Sequence, residues 1–121
     1  MGEDAGYPAD RLRVVFGPGA MMGPGKAELL ERIRATGSIA AAGREMGMSY
    51  KRAWQLVETM NAMFRAPVVE STRGGAKGGG ARLTETGRAV LGAFRAYEAA
   101  ARAAGAPHVA RLQALLKDPE N

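Results

Sequence analysis

Apolar positions change period several times along this chain, and the changes mark out its elements. Residues 11–16 alternate and then turn apolar, which predicts a short strand broken by Gly17-Pro18-Gly19. Met21 and Met22 fall in the loop that follows. Pro24 sits where a helix starts, because its missing N–H has no partner there anyway. Ala27, Leu30 and Ile33, with Leu29 beside them, then recur on one face until Gly37 ends the helix. Ser38 is placed to cap a short second helix closed by Gly47, and Ser49 to cap a third. The third helix presents Ala53, Val57, Met60 and Phe64 at spacings of three to four, and Pro67 stops it. Residues 68–73 read as a strand, 74–80 as a glycine-dense hairpin tip, and Ala81-Arg82-Leu83 as the returning strand. Thr84 then caps a long helix with Val90, Leu91, Phe94 and Tyr97 on one side. Gly105 and Pro107 are expected to interrupt it before a last short helix carrying Val109, Leu112, Leu115 and Leu116.

The stretch from Gly37 to Gln55 meets the requirements of a helix-turn-helix in order. Such a pair needs small residues where the helices cross (Ala41 and Ala42) and glycine in the turn (Gly47). It also needs an apolar residue just after the turn (Met48) and an apolar face on the second helix (Ala53, Val57). With the hairpin this gives a mostly α fold with a small β-hairpin, a winged helix-turn-helix followed by C-terminal helices. The expected organisation is a flexible N-terminus at 1–10, a winged helix-turn-helix at 11–88 and dimerisation helices at 89–121. Two ordinary packed helices remain the competing reading of the pair. In the DNA-binding reading the second helix enters the major groove by its N-terminal residues, Ser49, Tyr50, Lys51, Arg52 and Gln55. Lys51 or Arg52 suits guanine, Gln55 suits adenine, and Tyr50 suits a phosphate or a thymine methyl. Trp54 is expected to pack in the helix–helix seam.

Charge sharpens this. The 121 residues carry a net charge of +5, and the balance is 0 over residues 1–37, +4 over 38–88 and +1 over 89–121. The excess therefore lies with the helix pair and the hairpin, as a nucleic-acid binder requires, although a solvated basic face would look the same. Arg73, Lys77 and Arg82 on a flexible hairpin could follow the phosphate backbone or enter the minor groove. A Walker loop is excluded because Lys77 is followed by glycine rather than Ser or Thr. The chain has no cysteine and one histidine, His108, so neither a thiolate site nor a histidine cluster can be assembled. Met46, Met48, Met60 and Met63 follow core faces, with soft-metal binding a remote alternative. No catalytic residue, metal site or cofactor is expected, nor a signal peptide or membrane span, and the expected compartment is the cytoplasm.

Ser38-Ile39, Ser49-Tyr50-Lys51 with Ala53-Trp54, Met60-Asn61, the glycines around Lys77 and Leu83-Thr84 together resemble the DNA-binding domain of ModE-type molybdate-responsive transcriptional regulators. That domain is itself similar to the N-terminal winged helix of LysR-type regulators, and the resemblance runs from about residue 10 to residue 100. It implies a homodimer on symmetric double-stranded DNA, with recognition helices about one turn, roughly 34–36 Å, apart. It also implies control of molybdenum-related genes. Mapped onto this chain, it places the recognition helix at Ser49 to Gln55 and the wing at Arg73 to Arg82. Ser38 and Thr84 cap helices at the DNA-binding surface, and Val90, Phe94, Tyr97, Leu112, Leu115 and Leu116 are expected at the dimer seam. The oxyanion-binding domains of these regulators have no counterpart in the 121 residues, so a stand-alone DNA-binding domain is expected. Molybdate or another oxyanion as ligand has no recognisable binding domain behind it. A protein–protein module on the same scaffold, or a small oxyanion sensor, are the alternatives in function.

Overall fold

The computed structural model describes residues 11–72 and 80–118. Over these the chain runs β1 (Val14–Gly17), β2 (Ala20–Met22), α1 (Pro24–Thr36), α2 (Ile39–Glu45), α3 (Tyr50–Met63), β3 (Val69–Thr72), β4 (Gly80–Leu83) and α4 (Glu85–Ala114). The strands form two antiparallel hairpins, β1–β2 and β3–β4.

The first hairpin corrects the sequence reading, which left Met21 and Met22 in a loop. They lie in β2, where Met22 pairs with Val14 and Met21 with Val15. Met22 is 2% exposed and belongs to the core. A strand of three residues is too short to show alternation, so its period was invisible until a partner strand lay beside it.

Leu29, Leu30 and Ile33 of α1 are buried, together with Ala53, Val57 and Met60 of α3, Val68, and Leu83 of β4. Burying each large aliphatic side chain contributes about 1.5–3 kcal/mol, so this one cluster holds the three helices and the wing hairpin together. The helix ends follow side-chain chemistry. The hydroxyl of Ser38 accepts from the Ala41 N–H at 3.0 Å, Ser49 from Arg52 at 3.1 Å, and Thr84 from Gly87 at 2.9 Å. Each satisfies a donor that the helix start would otherwise leave bare, worth roughly 1 kcal/mol. Gly47 makes the turn between α2 and α3 with φ of 75°, a conformation that costs a residue with a Cβ.

The C-terminal helix is a second correction. Gly105 and Pro107 do not interrupt it, and α4 is one helix of 30 residues, about 45 Å long at 1.5 Å per residue. Pro107 cannot donate to the carbonyl of Ala103, but that single loss falls in an alanine-rich run of high helix propensity. Ala103 and Pro107 are both exposed, so the freed carbonyl faces solvent rather than a dry core. The first turns of α4 pack on the domain through Gly87, Leu91 and Phe94. Beyond Phe94 the helix buries no further side chain and forms an arm.

Candidate nucleic-acid interface

The α2–α3 pair crosses at very short range. A Cβ built on Gly43 would lie 2.8 Å from the Ala53 Cβ. The close approach thus rests on Gly43 and the buried Ala42, whereas Ala41, one of the two residues singled out in the sequence, is only half-buried. With Ala53, Val57 and Met60 turned inward, α3 presents three strips outward. Tyr50, Trp54 and Glu58 border a groove of about 410 Å³ shared with Ser38 and the wing strands. Arg52, Leu56 and Thr59 border a cleft of about 670 Å³ shared with the β1–β2 hairpin and the start of α1. Lys51 and Gln55 line neither and stand exposed on the crest between them.

This geometry sorts the residues singled out in the sequence. Lys51 and Gln55 lie on the side of α3 opposite the buried Ala53, Val57 and Met60. Tyr50 leans to the wing side and Arg52 to the opposite side. Ser49 and Ser38 are the caps expected of them, and Ser38 also lines the wing-side groove. Thr84 caps α4 but lines neither groove along α3. Its hydroxyl donates to the Pro67 carbonyl at 2.6 Å, so its work is to fix α4 to the base of the wing. Trp54 departs from expectation. It is 44% exposed and forms a wall of the wing-side groove instead of packing in the seam. The seam has no room for an indole where Gly43 and Ala53 nearly touch.

Arg82 of the wing is exposed on β4 and bonded to Glu70 on the paired strand at 2.7 Å. An exposed pair of this kind is worth at most about 1 kcal/mol, so the guanidinium can exchange Glu70 for a phosphate at little cost. Arg73 and Lys77 lie outside the described residues. Of the expected seam residues, Phe94 is 5% exposed and packs within the domain's own core, because the first turns of α4 are covered by α1 and β4. Val90 is half-buried, while Tyr97, Leu112, Leu115 and Leu116 are exposed.

The sequence reading missed two features. Asn61 binds β3 to α3: its Oδ1 accepts from the N–H groups of Val68 at 2.8 Å and Val69 at 3.2 Å, and its Nδ2 donates to the Val69 carbonyl at 3.3 Å. In the sequence Met60-Asn61 stood out only as part of the family resemblance, with no role for the amide. The second is the cluster of Arg11, Arg13 and Lys26 in the cleft beside Arg52. Lys26 donates to the Met21 carbonyl at 2.8 Å. Burial, and then the nearby Arg52 charge, hold its ammonium below the usual lysine range. These cations are spread over residues 11–52, so no local charge run announced them.

Apart from Glu58 on the wing-side groove, the carboxylates near the domain core are paired away from α3. Arg95 of α4 bonds Glu31 at 2.7 Å and Glu98 at 2.8 Å, and Arg32 bonds Glu28 at 2.6 Å and Glu45 at 3.0 Å. None of these residues lines either groove along α3.

Comparison with known proteins agrees with this arrangement. Residues 25–88 match the family described as bacterial regulatory helix-turn-helix protein, lysR family. The chain is 51% identical over 81 residues to the molybdenum-pterin-binding protein MopB of Rhodobacter capsulatus, covering 67% of this chain and 30% of that protein. It is 39% identical over 80 residues to the molybdenum transport protein ModE of Azotobacter vinelandii, covering 66% and 30% respectively. With the DNA-binding transcriptional dual regulator ModE of Escherichia coli K12 it shares 38% identity over 68 residues, covering 56% and 26%. The chain thus spans less than a third of the length of these relatives. With its α2–α3 pair, its wing and more than half of its residues matched, the chain belongs to the lysR family of bacterial regulatory helix-turn-helix proteins.

Proposed function

We propose that this protein is a sequence-specific DNA-binding transcriptional regulator of molybdenum-related genes that acts as a dimer. The observation that carries the reading is the exposed crest of Lys51 and Gln55 on α3, flanked by two grooves and backed by a helix crossing too close for anything but small residues. An α-helix of this width fits the major groove, where Gln can bond adenine N6 and N7 and Lys can bond guanine O6 and N7. Tyr50 and Ser38 then face one phosphate strand, with Arg82 of the wing beyond them. The molybdenum association comes from the ModE-type and Mop-type relatives.

Selection of duplexes from a random library, followed by affinity measurement, tests this. Gln55→Ala should lose about 1–3 kcal/mol of discrimination at one base position while keeping its affinity for unselected DNA. Lys51→Ala should do the same at a neighbouring position. No enrichment of any sequence by the wild-type protein would instead favour a protein–protein module on this scaffold.

The dimer reading rests on α4. Its arm ends in exposed Leu112, Leu115 and Leu116, and an apolar groove of about 420 Å³ lies between the β1–β2 hairpin and the same helix. Val14, Phe16, Phe64, Val90 and Tyr97 line that groove. One chain thus carries both an unpartnered leucine surface and an apolar groove to receive one, which suits a self-complementary two-fold contact.

A further inference from the structure

The cleft on the Arg52 side of α3 is not accounted for by a wing and a recognition helix. Arg11, Arg13, Lys26 and Arg52 line it, and among the described residues no aspartate or glutamate does. Among the described residues none of the four forms an ion pair with a carboxylate. Elsewhere in the same molecule Arg32, Arg34, Arg82 and Arg95 each take at least one. Like charges gathered in one cleft repel, and an anion among them relieves that repulsion.

Position indicates which anion. A helix is about 10–12 Å across and the major groove about 12 Å wide, so a helix seated there has a sugar-phosphate strand along each side. The wing and Ser38 lie on one side of the Lys51–Gln55 crest, and the basic cleft lies on the other. We propose that this cleft is a second phosphate-gripping surface, in which Arg11, Arg13 and Lys26 hold the backbone strand on the side of the recognition helix away from the wing. Arg52 stands between that strand and the base edges. The inference rests on the DNA-binding reading and adds to it the β1–β2 hairpin and the start of α1.

The test is the salt dependence of affinity for a duplex selected by the wild-type protein, read by fluorescence anisotropy. Each phosphate contact contributes about 0.9 to the slope of log K against log salt, so Arg11→Ala with Arg13→Ala should lower it by roughly 1.8. The preferred sequence should not change, since phosphate contacts carry no base information. Both side chains are exposed, and alanine keeps the Arg13 Cβ that sits against Gly23 at the start of α1, so the fold should survive. Arg13→Lys, which keeps the charge, should restore most of the contribution of that position. A slope unchanged in the double variant overturns the proposal. So does saturable binding of inorganic phosphate, abolished by the double variant while the DNA slope stays intact, because the cleft would then serve a free anion. Absence of salt-dependent DNA binding by the wild type would instead sink the DNA-binding reading itself, an outcome distinct from a wild-type slope that the double variant leaves alone.

Discussion

Asn61 shows how much one side chain can decide. Its amide meets two N–H groups and one carbonyl at the start of β3, where the backbone leaves α3 and enters the wing. Asn61→Ala removes all three bonds and leaves the N–H groups of the buried Val68 and Val69 without that partner. An unsatisfied buried donor costs about 1–3 kcal/mol, so a loss of about 2–4 kcal/mol is expected in urea unfolding. Asn61→Asp, which keeps the accepting oxygen, should lose less. Arg52 makes a related point at the surface. From spacing alone it looked equivalent to Lys51 as a base reader, yet one turns to the cleft and the other stays on the crest. Neighbouring residues on a helix differ by about 100°, so burial of the Ala53–Val57–Met60 face fixes which of the two stands on the crest and which lines the cleft.

At the scale of elements, the helix pair was legible because its constraints are local. A glycine turn and a serine cap declare themselves within a few residues. So does a small-residue crossing, although which small residue matters most did not. Gly43→Ala would place a Cβ 2.8 Å from the Ala53 Cβ, and neither carbon can rotate away since both are fixed to helix backbone. The helices must separate slightly, an overpacking cost of about 1–3 kcal/mol, visible as a lower midpoint in thermal unfolding. Ala41→Gly, at the half-buried neighbour, should cost only the roughly 1 kcal/mol of helix propensity. The α4 helix was misjudged for the opposite reason. Glycine and proline two residues apart are strong local stop signals, and the alanine-rich sequence on either side outweighs them. The β1–β2 hairpin escaped notice because strands this short are defined by pairing rather than by composition.

For the whole molecule the decisive property is how charge and apolar surface are distributed. Carboxylates of α1 and α2 are taken up by arginines that tie α1 to α2 and α4, whereas among the described residues Arg11, Arg13, Lys26, Lys51 and Arg52, gathered around α3, form no ion pair with a carboxylate. The apolar surface is likewise concentrated on α4 and the groove beside it. Sedimentation equilibrium should therefore give a dimer at micromolar concentration. Replacing Leu112, Leu115 and Leu116 by serine should yield a monomer with unchanged helix-turn-helix stability, because these side chains are 65%, 73% and 69% exposed and contribute nothing to the domain's core. A wild-type monomer, or a variant that stays dimeric, would remove the arm from the interface.

The sequence by itself determined the three-helix core, the caps, the wing strands and the helix-turn-helix pair of α2 and α3. All of these follow from periodicity and from residue types whose effects act over one turn or one hairpin. Only the tertiary structure decided the rest: that Met22 and Phe94 belong to the core, that Trp54 faces a groove, that the Thr84 hydroxyl bonds the Pro67 carbonyl at the wing base, and that Arg11, Arg13 and Lys26 meet Arg52. Those facts depend on contacts between residues far apart along the chain. The helix beginning beside Ser49 is written in its own residues. The cleft along its flank exists only once the first hairpin has folded against it.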